Sequence, residues 1–424
     1  MAFNHTNAIE EANELAVYDE LVDLRNQFHI PKRKDGTECI YLCGNSLGLQ
    51  PKMARTYVEE VMNDWEKYGV DGHTHANRPW MPYHEILTDQ MSKVVGAIRN
   101  EVVVMNSLTV NLHLLMVSFY RPTKERYKII IEKGAFPSDR YAMCSQISFH
   151  GFDVQEALIE LSPREGEYVL RHEDILQAIK DNGAQLALVL IGNVNYYTGQ
   201  AFDMKAISQA AHNVGSMVSF DLAHGAGNII CDLHDSDVDF AMWCSYKYLN
   251  SGPGALSGVF INDKYANDPD LPRFLGWWGH DKTNRFKMEP EFQLIPGAEG
   301  WQLSNPPILP MACMKASLDL FERAGMPALR NKSVLMTTFL LRLLNNIESD
   351  RITVITPENP NERGGQLSLK VKDANKQLFS DLTSQGVVAD WREPDVIRIA
   401  CAPLYNTFGE LAQFASILNQ LITK

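Results

Sequence analysis

No run of about 20 uninterrupted apolar residues occurs in this chain, so no helix of membrane-spanning length is expected. Clustered positive charge is also missing. Asp and Glu outnumber Lys and Arg by 52 to 39, which leaves a formal charge of −13, and no basic run offsets it locally. Affinity for nucleic acid rests on clustered Lys and Arg, so that class of partner is not expected. The first twenty residues, MAFNHTNAIEEANELAVYDE, are acidic and lack a continuous apolar core, so no secretory leader is expected. The cysteines Cys39, Cys43, Cys144, Cys231, Cys244, Cys313 and Cys401 are scattered and form no CxxC pair. Reduced thiols in a cytoplasmic protein are the simplest reading. His73 and His75, with His84 further on, have no Cys or carboxylate at zinc spacing, so no metal is expected. Internal repeats and low-complexity tracts are absent.

What is present is ordinary globular composition, 45% hydrophobic, over a length that suits two or three domains. Apolar spacing predicts a helix over Ala8–Phe28, a second from Pro51 to about Lys67 and a third around Glu85–Ile98. The middle of the chain then alternates. Tyr127–Glu132, Leu186–Ile191, Met217–Asp221 and Val238–Tyr246 read as buried strands, with helices such as Met204–His212 between them. That pattern predicts a mostly parallel sheet covered on both faces, with a ligand crevice at the carboxyl ends of the strands. Gly276–Pro307 reads as a long loop, Ala312–Ala324 and Lys332–Ile347 as helices. The tail alternates strand and helix signals, with a closing helix from Phe408, and reads as a smaller α+β domain.

Candidate chemistry gathers at the predicted strand ends. Asp221 closes an apolar strand, where a carboxylate needs a cation or several donors. His224 is close enough to orient it. Lys247 follows the next apolar strand, where a partly desolvated amine suits Schiff-base formation, and Gly252, Gly254 and Gly258 follow. A pyridinium nitrogen facing a carboxylate and an aldehyde facing a lysine point to pyridoxal phosphate. Asn106–Thr109 precedes a helix and reads either as a plain cap or as an anion site. Phe136, in GAFPSD after the first strand, is placed either in the core or to stack on a flat ring.

Twelve segments in order resemble the kynureninase family: YLCGNSLGLQP, DGHTHANRPW, NSLTVNLHLLMVSFYRP, AFPSDRYA, YYTGQ, FDLAHGAGN, WCSYKYLNSGPG, GWWGHD, RFKM, LIPGAEGW, SNPPIL and IRIACAPLYN. They span nearly the whole chain. The resemblance implies a pyridoxal phosphate enzyme of the aspartate-aminotransferase fold (fold type I, close to the class V aminotransferases) acting as a homodimer. It implies an N-terminal helix and arm over 1–50, a large cofactor domain over 51–310 and a small domain over 311–424. Lys247 is then the Schiff-base lysine, Asp221 the partner of the pyridine nitrogen with His224 beside it, and Tyr246 a proton shuttle that also reaches the phosphate. Leu108 and Thr109 contact the phosphate. Phe136 stacks on the ring, supported by Pro137, Ser138 and Asp139. Trp277 and Asn305 stand at the cofactor rim across the dimer. Ser46, His73 and Asn305 line the substrate's aryl ring, and Arg398 clamps its carboxylate. The implied reaction is hydrolysis of kynurenine or 3-hydroxykynurenine. The pattern is broken at Gly192–Asn193 and at Cys401–Ala402. A class V aminotransferase, a cysteine desulfurase and a catalytically silent cofactor-binding protein are the alternatives.

Overall fold

A computed structural model of the chain describes residues 3–265 and 268–423. Its large unit is built on a seven-stranded sheet. Across it the strands run Val102–Met105, Ser257–Ile261, Phe240–Cys244, Met217–Asp221, Leu186–Gly192, Lys128–Glu132 and Leu158–Leu161. The last five are mutually parallel, and Ser257–Ile261 is antiparallel to both its neighbours. Successive side chains of one strand serve opposite faces. Ile130 enters one apolar cluster, Ile129 and Ile131 the other. Helices close both faces, which explains why these strands read as unbroken apolar runs.

The small unit is a four-stranded antiparallel sheet in the order Asp390–Arg392, Val396–Ala400, Gln366–Val371, Ile352–Val354. Helices Met326–Asn345 and Phe408–Ile422 cover it and share its apolar core. Residues 1–50 divide between the units, with Leu21, Leu24, Phe28 and Leu49 in the large unit's core and others in the small unit's. Helix His5–Val17 buries Ala8 and Ala12 in the same core, and Ile40–Tyr41 pairs in parallel with Val387–Val388. Helix Ile308–Ala324 packs instead on helices Met53–Tyr68 and Glu85–Val95 of the large unit. Gly325, with a φ of 74°, turns the chain into helix Met326–Asn345, and the packing changes hands within that helix: Met326 and Leu329 still enter the large unit's core, Met336 and later residues the small unit's.

Several expected boundaries differ. The helix expected over Ala8–Phe28 stops at Val17, followed by a 3₁₀ turn at Val22–Gln27. Asp19 breaks it: its carboxylate accepts from Leu21 N at 3.0 Å and pairs with buried Lys332 at 2.8 Å. The helices expected from Ala312 and Lys332 begin earlier, at Ile308 and Met326, because Pro310 and Pro327 lie in first turns where a missing N–H costs nothing. The strand expected over Val238–Tyr246 covers only Phe240–Cys244, so Tyr246 and Lys247 lie in the turn beyond it.

Candidate active site

Four parallel strands end side by side at the carboxyl edge of the large sheet. Their last residues, Glu132, Gly192, Asp221 and Cys244, all line one cleft of about 620 Å³, part of it open to solvent. Register makes this alignment: Gly192 stands opposite Asp221, and Asp221 opposite Met242. Parallel sheets place their ligand crevices at this edge, and the volume suits a small cofactor with substrate.

Turns beyond the strands supply the rest. Lys247 is held by a tight turn in which Asn250 N donates to Lys247 O at 3.0 Å and Ser251 N to Ser245 O at 3.0 Å. Gly48 N donates to Tyr246 O at 2.8 Å, and a Cβ on Gly48 would lie 2.3 Å from Lys247 O. The GNSLG segment therefore supports the lysine turn by a close approach that only glycine permits. Lys247 is buried, and its Nζ lies 3.0 Å from His224 Nε2 and 5.6 Å from the Phe136 ring centre. Burial, then the charge of Lys247, holds His224 well below the usual imidazole range, so Nε2 is the acceptor and the lysine the donor. Asp221 Oδ1 accepts from Ala223 N at 2.6 Å.

Glu132, Asp139 and Asp221 form a buried acidic group around this one amine. Burial pushes Glu132 up to about 7, against hydrogen bonds from Gly192 N at 2.8 Å and Asn195 Nδ2 at 3.1 Å. Burial also raises Asp139 and Asp221, Asp139 the further because the charge of Asp221 adds to it. The pair therefore holds a proton on Asp139 and keeps the charge on Asp221. Asp139 Oδ1 has no hydrogen-bond partner among the described residues. A cationic ring N–H aimed at Asp221 would offset the surplus of negative charge.

An anion site adjoins this acidic group. Helices Leu108–Phe119 and Pro137–Phe149 point their N-termini into the cleft, and Thr109 Oγ1 meets Ser138 Oγ at 2.9 Å between them. First-turn N–H groups and two hydroxyls suit a phosphate. Pro137 occupies the start of the second helix, where it presets the turn without lining the cleft. Phe136 projects a partly exposed ring face into the cleft, which Ala223 also lines. Donor set, acidic partner, amine and ring wall together fit pyridoxal phosphate.

The structure thus gathers Leu108, Thr109, Phe136, Ser138, Asp139, Asp221, His224, Tyr246 and Lys247 into one cleft. It leaves Ser46, His73, Trp277, Asn305 and Arg398 off its lining. Asn305 is exposed, and Trp277 is partly exposed with its Nε1 donating to Arg285 O at 3.1 Å. His73 packs edge-on against Trp80, and its Nδ1 bonds Val70 O at 2.8 Å. Arg398 is buried just behind Tyr196, donating from Nη1 to Tyr196 O at 2.8 Å. His84, Glu85 and Glu299 stand at metal-like spacing, but the Lys282 ammonium already sits 2.9 Å from Glu85 and 2.6 Å from Glu299.

Sequence reasoning missed Glu132, Asn195 and Tyr196. Asn195 Oδ1 accepts from Tyr197 N and Thr198 N, both at 3.0 Å, and so builds the turn that carries Tyr196. The Tyr196 ring meets Phe136 edge-on at 5.4 Å. The available signal was a Glu ending the apolar run KIIIE, as unusual there as Asp221 at the end of MVSFD. At Gly192, where the family pattern is broken, an added Cβ would meet nothing closer than 3.6 Å, so the position has room for a small side chain.

Comparison with known proteins bears on this arrangement. Residues 329–418 match the family described as the kynureninase C-terminal domain. A kynureninase of Myxococcus xanthus (strain DK1622) is 54% identical over 96% of this chain and 96% of its own. One of Nematostella vectensis is 47% identical over 97% of this chain and 93% of its own. Among solved structures, an apo cysteine desulfurase of Thermococcus onnurineus NA1 superposes with a TM-score of 0.77, covering 95% of this chain and 98% of its own at 17% identity. The K223A mutant of C-DES, with glycine covalently linked to its PLP cofactor, gives 0.76 over 93% and 98% at 16% identity. At that identity these two speak for the fold: a fold type I sheet domain with a smaller C-terminal unit.

Proposed function

The chain belongs to the kynureninase family, and from that membership we propose that it hydrolyses the Cβ–Cγ bond of L-kynurenine, 3-hydroxy-L-kynurenine or both. Products are L-alanine and anthranilate or 3-hydroxyanthranilate. It is a pyridoxal phosphate-dependent hydrolase of carbon–carbon bonds. When bound, pyridoxal phosphate supplies an aldehyde for the substrate amine and a ring that stores the electron pair left at the α-carbon. The observation that carries the reading is the meeting of buried Lys247, Asp221 and His224 in one cleft beside two helix N-termini.

Each residue has a proposed task. Lys247 moves the α-proton, and neutral His224 accepts a hydrogen bond from it at 3.0 Å, holding its Nζ in place. Asp221, kept charged beside protonated Asp139, accepts the ring N–H. Leu108, Thr109 and Ser138 hold the phosphate, and Phe136 covers the ring. Tyr246 relays a proton between the hydrated side-chain carbonyl, which gives one up as the aryl acid departs, and Cβ, which takes one when the Cβ–Cγ bond breaks. Arg398 binds the α-carboxylate, a role suited to its fork of donors, and so fixes which bond faces the ring. Ser46, His73 and Asn305 meet the aryl ring. Trp277 and Asn305 reach the cofactor rim of a second copy, which accounts for their exposure in one chain. A homodimer and a cytoplasmic setting belong to the proposal. Seven free thiols support the latter.

A desulfurase needs a mobile, reactive thiol. Cys244 lines the cleft, but it is buried at a strand end and desolvation raises its pKa, so it is placed as an inert thiol. Incubation with L-kynurenine is expected to release L-alanine and a fluorescent aryl amine in equal amounts, with Lys247→Ala abolishing both. A keto acid without alanine would mean transamination instead.

A further inference from the structure

Arg398 is 1% exposed, and burial draws its guanidinium down to about 10. A buried cation needs a counter-anion in every state the protein visits. In the structure that anion is Asp390. Antiparallel pairing sets Asp390 directly opposite Arg398, and Asp390 Oδ2 accepts from Arg398 Nη2. Tyr196 O accepts from Nη1, while Nε is buried without a partner among the described residues. The Nε–Nη2 edge binds carboxylates through two parallel bonds. Here that edge is half filled by the protein's own carboxylate. The same Oδ2 also accepts from Arg392 Nε at 3.1 Å. Arg392 has a side chain 36% exposed, so it reaches solvent where Arg398 does not.

We infer that Asp390 is an internal occupant of the Arg398 fork, handed to Arg392 when a substrate α-carboxylate arrives. The inference rests on the reading of Arg398 as the carboxylate clamp. Exchanging one carboxylate for another keeps the buried guanidinium paired before and after binding. It also sets a threshold, because a ligand with an amide or no acid in that place does not displace Asp390. Asp390 and Arg392 are thus positioning residues that make recognition of the α-carboxylate selective. Their chemistry is legible in the strand pair itself, where one carboxylate oxygen bridges a buried cation and a solvated one.

Steady-state kinetics of the cofactor-loaded enzyme with L-kynurenine test this. Asp390→Asn is expected to lower KM, and the inhibition constant of L-alanine, about tenfold with little change in kcat. Arg392→Ala strands Asp390 on Arg398 and is expected to raise KM about tenfold at unchanged kcat. The double variant is expected to return KM to the Asp390→Asn value, a rescue that a merely structural role does not produce. It also removes both charges together, so it reports even where Asp390→Asn folds poorly. A KM that rises in Asp390→Asn, or a double variant that stays at the Arg392→Ala value, overturns the exchange. Arg398→Lys separates the two readings. If it leaves KM unchanged, the clamp itself is wrong. If it raises KM while the Asp390 and Arg392 variants change nothing, only the exchange fails.

Discussion

Three buried carboxyls beside one buried amine make individual protonation states decisive at the residue scale. Glu132 is the case with a measurable consequence outside catalysis. Its carboxyl is raised from 4.5 to about 7, so the fold favours the neutral acid. A group raised in this way contributes stability that is full below the unfolded value and is lost as pH rises through the folded value. The window is therefore about pH 4.5 to 7, and the contribution lost across it is roughly 3 kcal/mol. Glu132→Gln, neutral at every pH, is expected to flatten that part of the profile. Melting temperatures of the cofactor-free protein across the window should fall more steeply in the wild type. Parallel curves would mean that Glu132 keeps its charge in the fold. Asp221 and Lys247 were legible as residues because a lone charge after an apolar strand is conspicuous. Glu132 carries the same mark. Its partners, Gly192 N and Asn195, are distant in sequence and gave it no visible reason to be there.

The anion site is a property of elements, because it needs two helices to start at one place. The strands before helices Leu108–Phe119 and Pro137–Phe149 stand first and sixth in the sheet, so the two N-terminal turns meet only because the connections reach across its carboxyl edge. Thr109 and Ser138 close the gap between them. Replacing Thr109 by Val removes one hydroxyl from a dianion site and is expected to weaken pyridoxal phosphate binding about tenfold or more. Titration of apoprotein by absorbance measures this, with Thr109→Ser retaining affinity. Unchanged affinity in Thr109→Val would show the backbone groups to suffice. From sequence alone a plain cap was the favoured reading of Asn106–Thr109 and an anion site the alternative. Only convergence with the second helix separates them. Helix ends escape the local pattern for a related reason. Asp19 ends the first helix through Lys332, more than 300 residues away, which no nearby residue reveals.

At the scale of the whole molecule, the loop preceding helix Ile308–Ala324 exposes Phe274, Leu275, Trp277, Phe286 and Met288 together. Clustered exposed apolar side chains mark an interface, and this one carries the residues proposed for the neighbouring site. Sedimentation is expected to give twice the chain mass of 47.8 kDa. Trp277→Ser with Phe286→Ser should yield monomer and lose activity, whereas a fully active wild-type monomer would refute the shared site. The sequence by itself determined the four strands whose ends line the cleft and the main helices, since unbroken apolar runs and period-3.6 patterns are local, but it did not reveal strands Val102–Met105, Leu158–Leu161 and Ser257–Ile261. It also marked Asp221 and Lys247, the two anchors proposed for the cofactor, since each breaks those patterns. The tertiary structure alone decided which strand ends lie side by side, where residues 1–50 pack, and what stands behind Arg398. Those facts depend on pairing between residues tens to hundreds of positions apart. A buried charge discloses its partner only once the chain has folded around it.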